Sequence, residues 1–244
     1  MDRGSYTRVG ESDERLTAYE IYAMRSYARN EHDDLRPVEQ SDLSDLNEAE
    51  IARYIEHVKS QKPNLAQFSD EKILKVSGII SKTDGIPTLA GTMVFGIYPQ
   101  SYCPQLFIAC AAMPGTELGE VGDDGQRFDD NARIEGTIEQ MLAGTIGFLR
   151  RNMKTKVTID ENGRRTDTPE YPIAALREAV ANALVHRDYS HYTEGSYIQI
   201  NMFRNRIEIL NPGALYGQNR VEKLGTSAMM EVRNPNIIRL LEEK

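Results

Sequence analysis

Apolar positions recur at helical spacing in several stretches of this chain. TAYEIYAMRSYA, residues 17–28, predicts a short helix with Thr17 as its cap. Residues 47–61 set Ile51, Tyr54, Ile55 and Val58 on one face and predict a second helix. A third is expected at 69–77 behind Ser69, and a fourth at 87–96, between Pro87 and Gly96. A long helix is expected at about 130–152, where Ile134, Ile138, Met141, Leu142, Thr145, Phe148 and Leu149 keep helical spacing. Another follows at 172–187. The last, 233–243, opens with Asn234 as cap and Pro235 at its first position.

Strands are expected at 5–10, 106–113, 156–160, 197–203 and 206–210. Only Arg204 and Asn205 separate the last two, which suits a tight hairpin. Residues 29–45 are polar and acidic and read as a linker. Residues 78–85 read as a connection or short strand, 114–131 as an exposed loop, 161–172 as a turn-rich connector, and 211–217 as a Pro/Gly loop. The fold class expected is α/β (α+β). A helix-rich middle domain over 30–155 would precede a two-layer α/β sandwich over 156–244. Residues 1–29 carry a lone strand with nothing upstream to pair with, which suggests a fragment cut inside or just after an earlier domain.

Composition narrows the function classes. The chain has 244 residues, 40% hydrophobic, enough for one large core or two smaller ones. Net charge is −8 and the pI about 5.2, so bulk attraction to DNA or to an anionic membrane is disfavoured. Arg150, Arg151, Lys154, Lys156, Arg164 and Arg165 form a local basic cluster, read as a solvated helix end running into a turn. Cys103 and Cys110 lack CxxC pairing and read as free thiols in a reducing compartment. No apolar run approaches the ~20 residues of a membrane helix. The amino-terminal sequence has no signal-peptide core, so a cytoplasmic location without membrane contact is expected. Asp123, Asp124, Asp129 and Asp130 lack the alternate spacing of a calcium loop and read as a mobile acidic loop.

The candidate chemistry lies in REAVANALVHRDY, residues 177–189. Glu178, Asn182 and His186 recur every four residues and form one stripe, roughly opposite Ile173, Leu176, Val180 and Leu184. A carboxylate can activate water, and an amide oxygen one turn on can ligate Mg²⁺. His186 closes the helix, where the dipole favours a cation. The glycines of NPGALYG (211–217) let a ligand approach the backbone. Arg233 is a candidate phosphate contact, or a partner of Glu231. No Walker A motif is present, which disfavours a helicase motor.

YPIAALREAVANALVHRDYS (171–190), RIEILNPGAL (206–215) and RNPNII (233–238) together resemble bacterial Schlafen-related transcriptional regulators. These are often labelled "ATP-dependent DNA helicase RecG-related". PTLAGTMVFGIYPQ (87–100) and IEGTIEQM (134–141) look like the segment before their carboxy-terminal domain. YTRVGESDERLTAYEI (6–21) looks like the tail of an AlbA-type domain. The resemblance implies a divergent GHKL-type (histidine-kinase-like) ATPase domain with ATP and Mg²⁺ as ligands. Glu178 then matches the residue that activates water, and Asn182 the Mg²⁺ ligand. Asn211 and Gly213 lie where an Asp and a Gly contact adenine. The glycine pattern is reduced to NPGAL, and KLGTS (223–227) stands in for a lid. The resemblance also implies a homodimer that reaches DNA through domains missing from this chain. Three readings follow: a nucleotide-binding module of a regulator, a non-catalytic scaffold for oligomerisation or partner binding, and a Mg²⁺-dependent ATPase linked to nucleic-acid remodelling.

Overall fold

The computed structural model describes residues 4–9, 11–159, 165–217, 219, 221 and 231–244. KLGTS (223–227) and Arg164 therefore lie outside the described residues.

Helices begin where the sequence supplies a cap. Thr17 caps α1 (Ala18–Arg29) in a reciprocal box with Glu20, and Asn47 caps α2 (Glu48–Gln61). Ser69 caps α3 (Asp70–Val76), and Thr88 caps α4 (Leu89–Phe95). Each cap oxygen accepts a backbone N–H of the first turn, a contact worth about 1 kcal/mol. Every residue of α4 is buried, as expected of a helix without a polar face.

β3 (Ile108–Ala112) lies within the strand expected at 106–113. The expected long helix at 130–152 is corrected. Residues 130–134 form β4 (Asp130–Ile134), antiparallel to β3, and α5 (Ile138–Asn152) starts only after Thr137. Gly136, at φ +108°, breaks the chain between them, and Thr137 and Gln140 form a capping box. Ile134 stands four residues before Ile138, so periodicity alone merges strand and helix.

The connector after residue 160 is also corrected. β6 (Arg165–Pro169) pairs antiparallel with β5 (Thr155–Ile159). The amino-terminal strand, β1 (Tyr6–Val9), finds its partner downstream in β2 (Ser12–Arg15).

α6 (Ile173–Val185) then leads to β7 (Ile198–Met202) and β8 (Ile207–Leu210). The Phe203 amide donates to the Arg206 carbonyl at 2.8 Å and closes the expected hairpin around Arg204 and Asn205. A four-stranded mixed sheet runs in the order β4-β3-β7-β8. β3 and β7 are parallel, with Ile108 opposite Ile198; the other ladders are antiparallel. Two of its strands come from before residue 155 and two from after it.

Alternation decides the faces of this sheet. Ile108, Cys110, Ile198 and Ile200 are buried and join Met141, Phe148, Val180 and Leu184 in one apolar cluster. Each such side chain contributes about 1.5–3 kcal/mol by leaving water. Cys110 is a buried free thiol and Cys103 a half-buried one. No helix among the described residues is long and apolar enough to cross a membrane.

The supposed linker at 29–45 is packed. It holds two short 3₁₀ turns, Val38 is buried, and Asp34 is fully buried. Asp34 accepts from the Asn236 and Ile237 amides at 2.9 and 3.2 Å, and from Asn236 Nδ2 at 3.1 Å. It therefore caps α7 (Pro235–Glu243) from a distant part of the chain. Asn234, the expected cap, makes no cap bond. Its Nδ2 donates at 2.8 Å to the Val185 and Arg187 carbonyls and secures the end of α6.

Candidate functional site

α6 carries its polar stripe because Leu176, Val180, Ala183 and Leu184 bury its other face. Glu178 and Asn182 remain exposed, and Asn182 Nδ2 donates to Glu178 Oε1 at 3.1 Å. One of the two amide N–H groups is thus engaged, and Asn182 Oδ1 is the atom able to ligate a cation. His186 takes the C-cap position, its amide bonded to the Asn182 carbonyl.

Facing this end of α6 is the loop after β8. Asn211 Nδ2 donates to the Ala183 carbonyl at 2.9 Å and ties the loop to the helix. Gly213, at φ +105°, turns the chain against Asp188. Between helix and loop lies a cleft of about 720 Å³, lined by Asn182, His186, Asn211, Gly213, Tyr216 and Arg233. Five of the six expected site residues thus share one cleft. Glu178 stands one turn away and meets it through its bond to Asn182.

Electrostatics refine two of these residues. His186 is exposed as a residue, yet partial desolvation of its ring, and then the nearby Arg233 charge, lower its pKa below the ordinary value. The ring is therefore mostly neutral at pH 7, and the expected preference for a cation at the helix end is outweighed. Arg233 is committed too. It forms a buried ion pair with Asp188, and one guanidinium nitrogen donates to the Ala214 carbonyl at 2.7 Å. Pairing with Glu231 is one expectation for Arg233; the ion pair it makes is with Asp188, and Glu231 Oε1 accepts from the Tyr27 hydroxyl at 2.9 Å.

Sequence reasoning missed Tyr19 and the weight of Asp188. Burial raises the Asp188 pKa, but the Tyr19 hydroxyl, Arg233 and the Ser190 amide outweigh it, and the net shift is downward. Tyr19 donates to Asp188 Oδ2 at 2.6 Å, and its oxygen accepts the Ala214 amide at 3.1 Å. No local pattern marks Tyr19, because it reaches the loop from the far end of the chain.

A side chain at Gly213 would press on Asp188 Cβ in a backbone region that favours glycine. Gly213→Ala is expected to lose about 2 kcal/mol, read as a lower urea midpoint. An unchanged midpoint would show that the loop relaxes freely. Asp130, in the acidic stretch, accepts from Arg151 at 2.8 Å and Asn152 at 2.9 Å, and its pKa is lowered by those two bonds. Among the described residues, no three His, Cys, Asp or Glu side chains are grouped to hold a metal.

Comparisons with known proteins place this cleft in context. Residues 22–109 match a family described as a domain of unknown function, DUF8451. No curated protein matches the chain. Its fold is similar to the crystal structure of the DIP2311 protein from Corynebacterium diphtheriae, with a TM-score of 0.57 at 18% identity. That alignment covers 99% of this chain and 45% of the other, so the chain spans less than half the length of that protein. Residues 195–244, which supply β7, β8, the glycine loop and α7, match the family described as "Putative ATP-dependent DNA helicase recG C-terminal". The carboxy-terminal part of the chain is thus similar to a RecG-related, ATPase-like family.

Proposed function

We propose that the cleft between α6 and the 211–217 loop binds ATP with Mg²⁺ as a regulatory signal. The observation that carries this reading is the Glu178–Asn182 pair, presented at the cleft rim opposite a glycine loop. The ATPase-like match over residues 195–244 supports it.

The residues fit the ion. Mg²⁺ takes oxygen ligands and keeps several waters, so one carboxamide oxygen plus phosphate oxygens suits it. Asn182 Oδ1 would hold it, and Mg²⁺ would neutralise the phosphate charge when bound. Glu178 Oε1 already accepts from Asn182, so it orients that amide and is placed to receive a proton from water. Neutral His186 offers a hydrogen bond without a competing cation. Asn211, with Nδ2 engaged by Ala183, presents an oxygen acceptor at the adenine side, where Gly213 admits the ligand closely. Arg233 shapes the wall, since its charge is spent on Asp188.

In this reading the ATP state biases pairing between two copies of the chain. It thereby orients DNA-binding domains elsewhere in a transcriptional regulator. With a net charge of −8, the DNA contact belongs to those other parts. A second reading, a non-catalytic scaffold of ATPase fold, draws on the structural duties of Asn211, Gly213 and Arg233.

Calorimetry separates the two. ATP is expected to bind in the presence of Mg²⁺, and Asn182→Ala to abolish the Mg²⁺ dependence. Glu178→Gln is expected to spare binding and remove any turnover. No heat and no thermal shift with millimolar ATP and Mg²⁺ would reject the nucleotide reading and leave the scaffold.

A further inference from the structure

A second cavity, of about 220 Å³, lies on the outer side of the same loop, beneath α1. Four tyrosine rings line it: Tyr19, Tyr22 and Tyr27 from α1, and Tyr216 from the loop. Three of their hydroxyls donate to carboxylates. Tyr19 bonds Asp188 at 2.6 Å, Tyr22 bonds Asp33 at 2.5 Å, and Tyr27 bonds Glu231 at 2.9 Å. A phenol that donates to a carboxylate gains electron density, and its ring face becomes more attractive to positive charge. Burial, followed by those bonds, raises the Tyr19 and Tyr22 pKa values, so both remain phenols.

The charges around the cavity are lopsided. Among the described residues, Glu20, Glu31, Asp33 and Asp188 line it, against one guanidinium, that of Arg233, which Asp188 already neutralises. Arg29 approaches Glu31 only at 3.5 Å and is exposed. Arg233 itself sits 5.3 Å from the Tyr216 ring centre, so the fold already places a cation against these rings. Ala23, Met24 and Leu215 add apolar surface.

We infer that this cavity is a binding site for a small organic ammonium ion. Aromatic faces hold such a cation by its field, the carboxylates supply long-range attraction, and the apolar lining accepts its methyl or methylene groups. A phosphate-bearing ligand meets repulsion here, and a hard metal ion needs clustered oxygen ligands, which the described residues do not group. The inference does not depend on nucleotide binding in the neighbouring cleft.

Choline and its uncharged isostere 3,3-dimethyl-1-butanol test it on the full chain, by calorimetry and NMR titration at matched ionic strength. Choline is expected to saturate with shifts at α1 and residues 214–217, and the alcohol to bind about tenfold more weakly. Tyr27→Leu removes a ring, while Asp33→Asn removes a charge and keeps an acceptor for Tyr22. Each is expected to weaken choline binding about fivefold. Unchanged melting of either variant establishes that it is folded. Equal binding of choline and the alcohol, no saturation by choline, or choline binding unchanged in a folded variant would each overturn the assignment.

Discussion

Arg233→Ala is expected to destabilise the protein by about 3–5 kcal/mol, because it leaves the Asp188 carboxylate buried without its counter-charge. The Arg233 and Asp188 side chains are only 10% and 4% exposed, so water cannot replace the lost partner. The same substitution frees the Ala214 carbonyl and loosens the wall shared by the two cavities. Urea unfolding measures the loss. The double variant Asp188→Leu/Arg233→Met should recover much of it, since neither remaining group carries charge. If the single variant loses under 1 kcal/mol, the pair is not an internal anchor.

The pH dependence has a definite sign. The folded pKa of Asp188 lies below its ordinary carboxylate value of about 3.9. Its stabilisation is complete above that value and is lost as pH falls through the folded pKa. Arg233→Ala should flatten this acid limb of the stability profile. Retention of the full limb in the variant would assign acid sensitivity to other carboxylates.

Asp34→Ala is the second large effect, at about 2–4 kcal/mol. It strips the first turn of α7 of an acceptor for three donors in a site closed to water. Burial raises the Asp34 pKa more than its three donors lower it. Its sign is therefore opposite to that of Asp188. The contribution is present at low pH and is lost as pH rises from the unfolded through the folded value. Asp34→Asn keeps one acceptor oxygen and should lose about half as much. Equal melting temperatures for Asp34→Ala and the parent protein would remove Asp34 as the cap of α7.

Much of the helical framework was legible because caps are local chemistry. Thr17 and Ser69 each announce a helix within three residues of sequence, and each does cap one. β4 was hidden because Ile134 fits the period of the helix that follows Gly136. β6, RTDTP, carries no apolar alternation, and only its backbone pairing with β5 makes it a strand. The i, i+4 spacing set Asn182 and His186 on one face of α6, and both line the cleft. The partners of Arg233, Asn234 and Asp34 were not legible. Each is chosen across long stretches of chain, and burial selects among equally plausible polar neighbours.

The parallel ladder also fixes the order in which this protein can mature. Ile108 pairs with Ile198, so β3 and β4 leave the ribosome long before the strand that completes their sheet exists. Until then α5 can already cover the apolar face of β3, but the edge that β7 will pair with stays open, the usual starting point for mispairing between chains. Closing so long a loop is slow relative to local helix formation. The alanines and cysteine in IACAA make that waiting strand small and weakly sticky. The bulkier Ile198, Ile200 and Met202 arrive on β7, when a partner is already present.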